Sequence, residues 1–356
     1  MVNLEGRGLF AVRVASGLLA LTLLFFTFHH VDFSRVTDSM AGVGLLGFCL
    51  IATPQVVSLC LECIGWSRVF RVLGRRVSPR PLLRVRLATE AVAQTLPLGV
   101  VWAESLKPLL LGRHAGLPVS DSVAAIVARK YLLMASQAVY VALLSAFGFA
   151  TLRRLSLVLL GHAEAAWLAF AVSALLCALA FGVSGTFSHG RVAERVLGLL
   201  ARVPHRRLRQ QLQRRKAAFA STDSLTARYF TAGFGRSTLV PGFFFLCGWL
   251  CESLETYLIL RLLGVELDFF AVASVEVMLS FVKNVLFVLP SGIGVQDVGY
   301  VSCLAALGVP DALNVGAAFS VLKRGKELTW AALGYLLLGL EARPALDAPR
   351  LSVDVA

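Results

Sequence analysis

The sequence predicts an all-α polytopic membrane protein, built as an inverted-topology repeat with about six spans and two re-entrant helical hairpins broken at Pro-Gly turns. Three observations predict it. First, 57% of the residues are hydrophobic and only 15% are charged, with a mean hydropathy of +0.76; ordinary globular chains carry roughly 25% charged residues. Second, apolar stretches of about 20 residues recur along the whole chain, each long enough to cross a ~30 Å hydrocarbon core. Third, two separate segments share one pattern of residues and both break at a Pro-x-Gly.

The first apolar stretch, 9–28, is longer than a signal-peptide core. It has no small-residue cleavage site before His29 and His30, so it reads as a retained span. A second span covers 41–65. Arg68, Arg71, Arg75, Arg76, Arg80, Arg84 and Arg86 follow as an acid-free basic segment. The segment 83–113 is apolar but interrupted at Pro97-Leu98-Gly99, where proline removes a helix hydrogen bond and glycine permits the bend. Spans 120–149 and 163–184 come next, then a strongly basic loop, 186–236, whose only acids are Glu194 and Asp223. Span 238–262 leads to a short acidic loop with Glu266 and Asp268. A second interrupted segment, 269–308, breaks at Pro290-Ser291-Gly292, and the last span, 311–339, precedes a short tail, 341–356. The chain reads as a single transmembrane domain, 1–356, with repeat halves 1–150 and 155–340.

The repeat rests on four elements in the same order. Pro97 precedes Glu104 by the same distance as Pro290 precedes Asp297. Gly116-Leu117-Pro118 and Gly308-Val309-Pro310 follow the acids, and the basic pairs Arg129-Lys130 and Lys323-Arg324 come next. Excess Lys and Arg mark cytoplasmic loops. With both basic segments inside, each half becomes two spans, a hairpin and one span, in opposite orientations, and both termini are cytoplasmic. In transporters such a repeat places the substrate site near the bilayer midplane, between discontinuous helices. Hairpin arms of about 15 residues reach only ~22 Å, short for a full crossing.

Ionisable residues at membrane depth are costly and usually face a bundle interior or a wet cavity. The candidate substrate-binding residues are Glu104, Lys107, Arg129, Lys130, Ser291, Gly292, Gly294, Gln296, Asp297, Lys323 and Arg324. Pro97, Gly99, Pro290 and Gly292 make the hairpin turns. Glu90, Glu276, Lys283 and Glu327 are candidates for a proton or charge relay. Glu104 with Lys107 and Lys323 with Glu327 have the spacing of local helical pairs. Amide groups at a helix start favour an anion, and Arg grips phosphate bidentately. Free amides at the hairpin tips, with the basic pairs as countercharge, would therefore suit a phosphate.

The seven cysteines all lie in apolar segments and read as packing thiols. Trp66, Trp102 and Trp167 read as interfacial anchors or packing. No catalytic motif, metal-ligand set or nucleotide loop stands out, so the expectation is a non-enzyme with no cofactor and no metal. The +13 net charge points to anionic lipid headgroups rather than nucleic acid. A homo-oligomer is compatible with all of this.

LPSGIGVQD, followed by LGVPDAL and a basic cluster, resembles the lysylphosphatidylglycerol-synthase transmembrane region, also called the flippase-like membrane family. TLPLGVVWAESLKPLLLGRHAGLP resembles the first-half motif of that family. By this resemblance Glu104 and Lys107 fall on the first-half acid and base, Asp297 on the second-half acid, and Arg129 and Arg324 on the basic positions. In bifunctional relatives the region is joined to an aminoacyl-transfer domain. With about 16 residues after the last span, this chain is expected to lack it. The resemblance implies movement of a lipid with an anionic or phosphate-containing headgroup across a prokaryotic cytoplasmic membrane. The alternatives are an integral-membrane enzyme or accessory protein of lipid or polyprenol-glycan synthesis, and a small-solute transporter.

Overall fold

The computed structural model describes residues 22, 31–96, 99–200, 216–231, 235–285 and 294–346, and no side chain at 199–200, 281–285 or 341–346. The expected first span, 9–28, lies outside the described residues apart from Thr22. Helix α1 is Phe33–Val72, α2 Pro79–Thr95, α3 Gly99–Ala115, α4 Val119–Phe147, α5 Phe149–Leu160 and α6 Trp167–Ser188. Then come α7, Val192–Leu200, α8, Lys216–Thr231, α9, Arg236–Leu262, α10, Phe269–Val285, α11, Val295–Ala306, and α12, Ala312–Leu346. There is no strand among the described residues. Helices α1, α4, α9 and the 163–188 segment, which ends in α6, are long and apolar enough to cross a membrane. Helix α12 has the length, but Lys323, Arg324, Lys326 and Glu327 interrupt its apolar run.

Side-chain contacts fix how the helices run. At one end of the bundle, the Arg35 guanidinium reaches Asp311 at 3.2 Å, and the Asp32 amide donates to Asn314 at 2.9 Å. The starts of α1 and α12 therefore lie together. At the other end, Arg75 pairs with Asp121 at 2.6 Å, joining the end of α1 to the start of α4. Gly47 approaches Leu262, while Gly65 approaches Pro241 and Phe244, so α9 runs antiparallel to α1. Each helix of the first half thus has a counterpart of opposite direction: α1 with α9, and α4 with α12. The α2–α3 pair enters from the Arg75 end and the α10–α11 pair from the Asp311 end. This is the inverted repeat expected from the motifs.

Local chemistry explains the boundaries. Asp32 caps α1 by accepting from the amides of Ser34 and Arg35. Pro79 opens α2, where a missing N–H costs nothing. Asp268 caps α10 through the amides of Phe270 and Ala271. Helices α1 and α9 end alike: Gly74 and Gly264 adopt φ of +80° and +78°, and the next amides, of Arg75 and Val265, bond back to Phe70 and Leu260. Glycine adopts that left-handed cap without the strain a side chain would bring.

The first hairpin has shorter arms than the neighbouring spans. Its arms are 17 residues each, ~25 Å, against ~40 Å for α9 and ~43 Å for α4. At the tip the Gly99 amide donates to Leu96 at 2.8 Å. A Cβ on Gly99 would lie 2.4 Å from the Ala93 carbonyl oxygen, so the arms close only over glycine. Pro97 lies outside the described residues, as does the second tip with Pro290, Ser291 and Gly292.

Two buried apolar clusters hold the halves. One gathers Trp66, Phe70, Leu82, Leu111 and Leu132 from α1–α4. The other gathers Ile51, Ile259, Val272, Tyr300 and Phe319 from α1, α9, α10, α11 and α12. Leu45, Leu46, Leu175 and Phe181 are exposed, as apolar groups facing acyl chains should be. Three boundaries differ from the sequence reading. The span expected at 41–65 is a 40-residue helix with a kink at Gly44. The span expected at 120–149 stops at Gly148, where the α5 start turns away over Ser274 of α10. The expected basic loop 186–236 contains α7 and α8. The buried Asp223 carboxylate accepts from the α7 amides of Ala193 and Glu194 and so ties the two together.

Candidate functional site: a charged cavity between the halves

A cavity of about 360 Å³ opens between the two halves, bounded by α1, α2, α3, α4, α9 and α12. Its lining includes six carboxylates, Glu62, Glu90, Glu104, Glu252, Glu255 and Glu327, and six cations, Arg86, Lys107, Arg129, Lys130, Lys323 and Lys326. Ala93, Gln94 and Val100 from the first hairpin tip also face it. Lys323 and Glu327 lie in the middle of α12, which places the cavity within the span rather than at either end.

The first-half wall carries two ion-paired groups. Glu62 of α1 receives Arg129 of α4 at 2.6 Å and Arg86 of α2 at 3.1 Å. Arg86 also pairs with Glu90 one turn on, and Gln94 donates to Glu90 at 2.9 Å. Across the cavity Glu104 receives both Lys107 at 2.7 Å and Lys130 at 2.6 Å. Arg129 is 3% exposed, and its guanidinium lies 5.3 Å from the Trp66 ring centroid and 6.0 Å from that of Phe245. The aromatic faces favour the cation. Arg129 Nε and Glu104 Oε2 are among the buried side-chain atoms with no partner among the described residues.

The second-half wall is more closed. Glu255 of α9 holds Lys326 at 2.5 Å. Glu276 of α10 accepts from Thr256 and Tyr300, each at 2.5 Å, and faces Lys323 at 3.6 Å. Lys323 also donates to the Tyr300 hydroxyl at 3.0 Å. Arg324 joins Glu327 at 2.7 Å and Asp297 at 3.4 Å. Asp297 itself accepts the Gly294 amide at 2.9 Å, so the start of α11 is already occupied by a carboxylate of its own chain.

The structure sorts the sequence candidates by half. Glu90, Glu104, Lys107, Arg129 and Lys130 all line the cavity, as do Lys323 and Glu327. Arg324 is not among the lining residues but pairs with Glu327, which is. Gly294, Gln296 and Asp297 are buried behind the α11 start and are not among the lining residues. Glu276 stands one residue behind Lys323. Ser291 and Gly292 lie outside the described residues, and so does the side chain of Lys283. The expected Lys323–Glu327 pairing is replaced, because Glu327 is held by Arg324 and Lys323 turns towards Glu276 and Tyr300. Trp66 packs in the core while Trp102 and Trp167 are exposed.

Sequence reasoning missed Arg86, counting it with the cytoplasmic basic run. Its signal was the Arg86-Glu90-Gln94 stripe, one turn apart on one face of α2. Glu62, Glu252, Glu255 and Lys326 line the cavity too, and the sequence reading gives them no role. The Leu-Gly caps mark two of them: Gly74 follows Glu62 by twelve residues, and Gly264 follows Glu252 by twelve.

Antiparallel helix counterparts, a short-armed hairpin and a cavity walled by ion pairs define a polytopic membrane protein of the inverted-repeat kind. The family profile for the lysylphosphatidylglycerol synthase transmembrane region matches residues 12–326, and the chain belongs to that family. No curated protein and no solved structure matches the chain in the other two comparisons.

Proposed function

We propose that the protein moves a lipid with a phosphate-bearing headgroup across the cytoplasmic membrane, without covalent chemistry on the lipid. One observation carries the reading. Arg129, Lys107 and Lys130 line one wall of the cavity together, and the almost fully buried Arg129 has an enclosed Nε with no partner among the described residues. A buried donor left unpaired costs about 1–3 kcal/mol, a cost that a phosphate oxygen would remove once the guanidinium turned towards the cavity to make a charge-assisted bond. Glu104 and Glu62 offset the cations while the cavity is empty, so the site does not hold a large net charge in low dielectric.

Membership of a lipid-related family supports the same reading. The positive-inside rule favours a cytoplasmic Arg75 end, because Arg71, Arg75 and Arg76 gather there. The test is reconstitution in vesicles with a labelled phospholipid and a labelled neutral glyceride. The expected result is faster transbilayer exchange of the phospholipid alone, with its headgroup mass unchanged. Lys130→Ala and Lys107→Ala slow it while the protein stays folded. Unchanged exchange with wild-type protein, over a panel of anionic, zwitterionic and glycosylated lipids, removes the reading.

A further inference from the structure

The turn between α1 and α2, at the Arg75 end of the bundle, borders a depression of about 820 Å³, within the ~300–1,000 Å³ of ligand clefts. It shares no lining residue with the charged cavity. Arg71, Arg75 and Arg76 line it together with Ser67, Ser78 and Pro79. The Arg75 guanidinium is engaged by Asp121 at 2.6 Å. Arg71 and Arg76 are exposed, and neither side chain has an ion-pair partner among the described residues. Three cations therefore stand against one carboxylate. The turn is also fixed in place. Ser67 donates to the Val77 carbonyl at 2.6 Å, Gly74 takes its left-handed cap at φ +80°, and Arg75 ties the turn to α4. Such a site loses little conformational freedom on binding.

The inverted repeat supplies the comparison. In the turn between α9 and α10, Gly264 and Asp268 stand in the register of Gly74 and Ser78, and both arms that follow are 17 residues long. The Asp268 carboxylate accepts from the amides of Phe270 and Ala271 at 2.8 and 3.1 Å. Ser78 makes no such side-chain bond, and the first turn of α2 has no acid. Glu266 stands in the register of Arg76. One turn thus brings two carboxylates of its own, and the other brings Arg75, Arg76 and no acid. The positive-inside rule accounts for arginine at this end, but not for three arginines on one depression where the related turn carries carboxylates. We propose that this depression binds a phosphate group, which takes the place of the carboxylates that the second-half turn provides for itself. Guanidinium groups grip phosphate bidentately, and its charge offsets the excess of cations over Asp121. Two sources present such a group at a membrane surface, a phospholipid headgroup and a soluble phosphate.

The experiment follows amide hydrogen exchange over residues 74–82 of the delipidated full-length protein in a phosphate-free alkyl maltoside. Short-chain phosphatidylglycerol is titrated in one arm and inorganic phosphate in the other, at constant ionic strength, with a diacylglycerol of the same chains as the control. Saturable slowing of exchange is expected in at least one arm. Slowing by phosphatidylglycerol alone assigns the site to a headgroup, and slowing by inorganic phosphate at equal or lower concentration assigns it to a soluble phosphate. The double variant Arg71→Gln, Arg76→Gln should raise the half-saturating concentration about tenfold, a ~1.4 kcal/mol loss. The double variant Arg68→Gln, Arg84→Gln removes the same charge from exposed positions outside the depression and should leave it near the wild-type value. Ser78→Asp copies Asp268 into the first half and should abolish the response while keeping the fold. No saturable slowing in either arm, equal slowing by the diacylglycerol, or equal weakening in both double variants would each overturn the proposal. Binding here needs no movement of lipid between leaflets. Failure of this test leaves the transport reading standing, and failure of transport leaves this site standing.

Discussion

Glu62→Gln tests whether the first-half ion network is a structural unit held at membrane depth. Glu62 accepts from two guanidinium groups, at 2.6 Å from Arg129 and 3.1 Å from Arg86, with 14% of its side chain exposed. At an effective dielectric near 20, opposite charges ~4 Å apart attract by about 4 kcal/mol each, and desolvation of the three groups offsets much of that. Removing one partner forfeits the attraction but not the desolvation, so breaking a buried pair costs about 3–5 kcal/mol. Arg86 keeps Glu90. Arg129, only 3% exposed, keeps no carboxylate partner among those described, so it carries most of the loss. The assay is a double-mutant cycle of Glu62→Gln, Arg129→Gln and the pair, followed by thermal or denaturant unfolding in one detergent. Each single variant should lose about 3 kcal/mol or more, and the pair should lose at least ~2 kcal/mol less than the sum. Additive losses, or singles within about 0.5 kcal/mol of wild type, would refute the network as a coupled unit.

Three further outcomes follow from the packing. Gly99→Ala should open the first hairpin, because its Cβ has carbonyl oxygens at 2.4 and 2.6 Å. A melting-temperature drop, with new thiol reactivity at a cysteine placed at Val100, reads it. Gly334→Leu should separate α12 from α2, since a Cβ at 334 lies 2.4 Å from the Leu87 carbonyl oxygen and 2.6 Å from Ala91 Cβ; lost lipid movement and lower thermal stability together check it. Asp297→Asn keeps an oxygen for the Gly294 amide but weakens the hold on Arg324. Arg324 keeps Glu327, so stability should fall by about 1 kcal/mol, the scale of a modest ion pair, and a loss above ~3 kcal/mol would show that the carboxylate does more.

The backbone plan was legible because it is written in residues with few uses. Pro-x-Gly twice, Gly-x-Pro twice and clustered arginines located the hairpins, the α3–α4 and α11–α12 turns and the relative orientation of the halves. The site was legible where a charged residue sat inside an apolar run, as Glu104, Lys107, Arg129 and Lys130 do. It was not legible for Arg86, which closes an arginine-rich stretch and enters the cavity only because α2 begins at Pro79 and turns that residue inward. Nor could spacing reveal that Asp297 faces the amide of Gly294. An acid after a glycine turn serves equally as a helix cap and as a site residue, and only the packing of α12 distinguishes them.

The repeat is symmetric in backbone and asymmetric in charge, and that difference decides what the cavity can hold. Arg86 stands seven residues after Pro79 in the first arm of one hairpin, and Glu276 stands seven after Phe269 in the first arm of the other. Related helices thus contribute opposite signs. Among the described lining residues the first half supplies four cations against three carboxylates, and the second half three carboxylates against two cations. A headgroup entering between them meets a basic wall on α2–α4 and an acidic wall on α9 and α12. On the proposed reading, phosphate engagement falls to the first half, whose lining carries the excess of cations. The second half, with Asp297 capping α11 and Lys323 held by Glu276 and Tyr300, serves as the counterweight that keeps the empty cavity near neutral inside the bilayer.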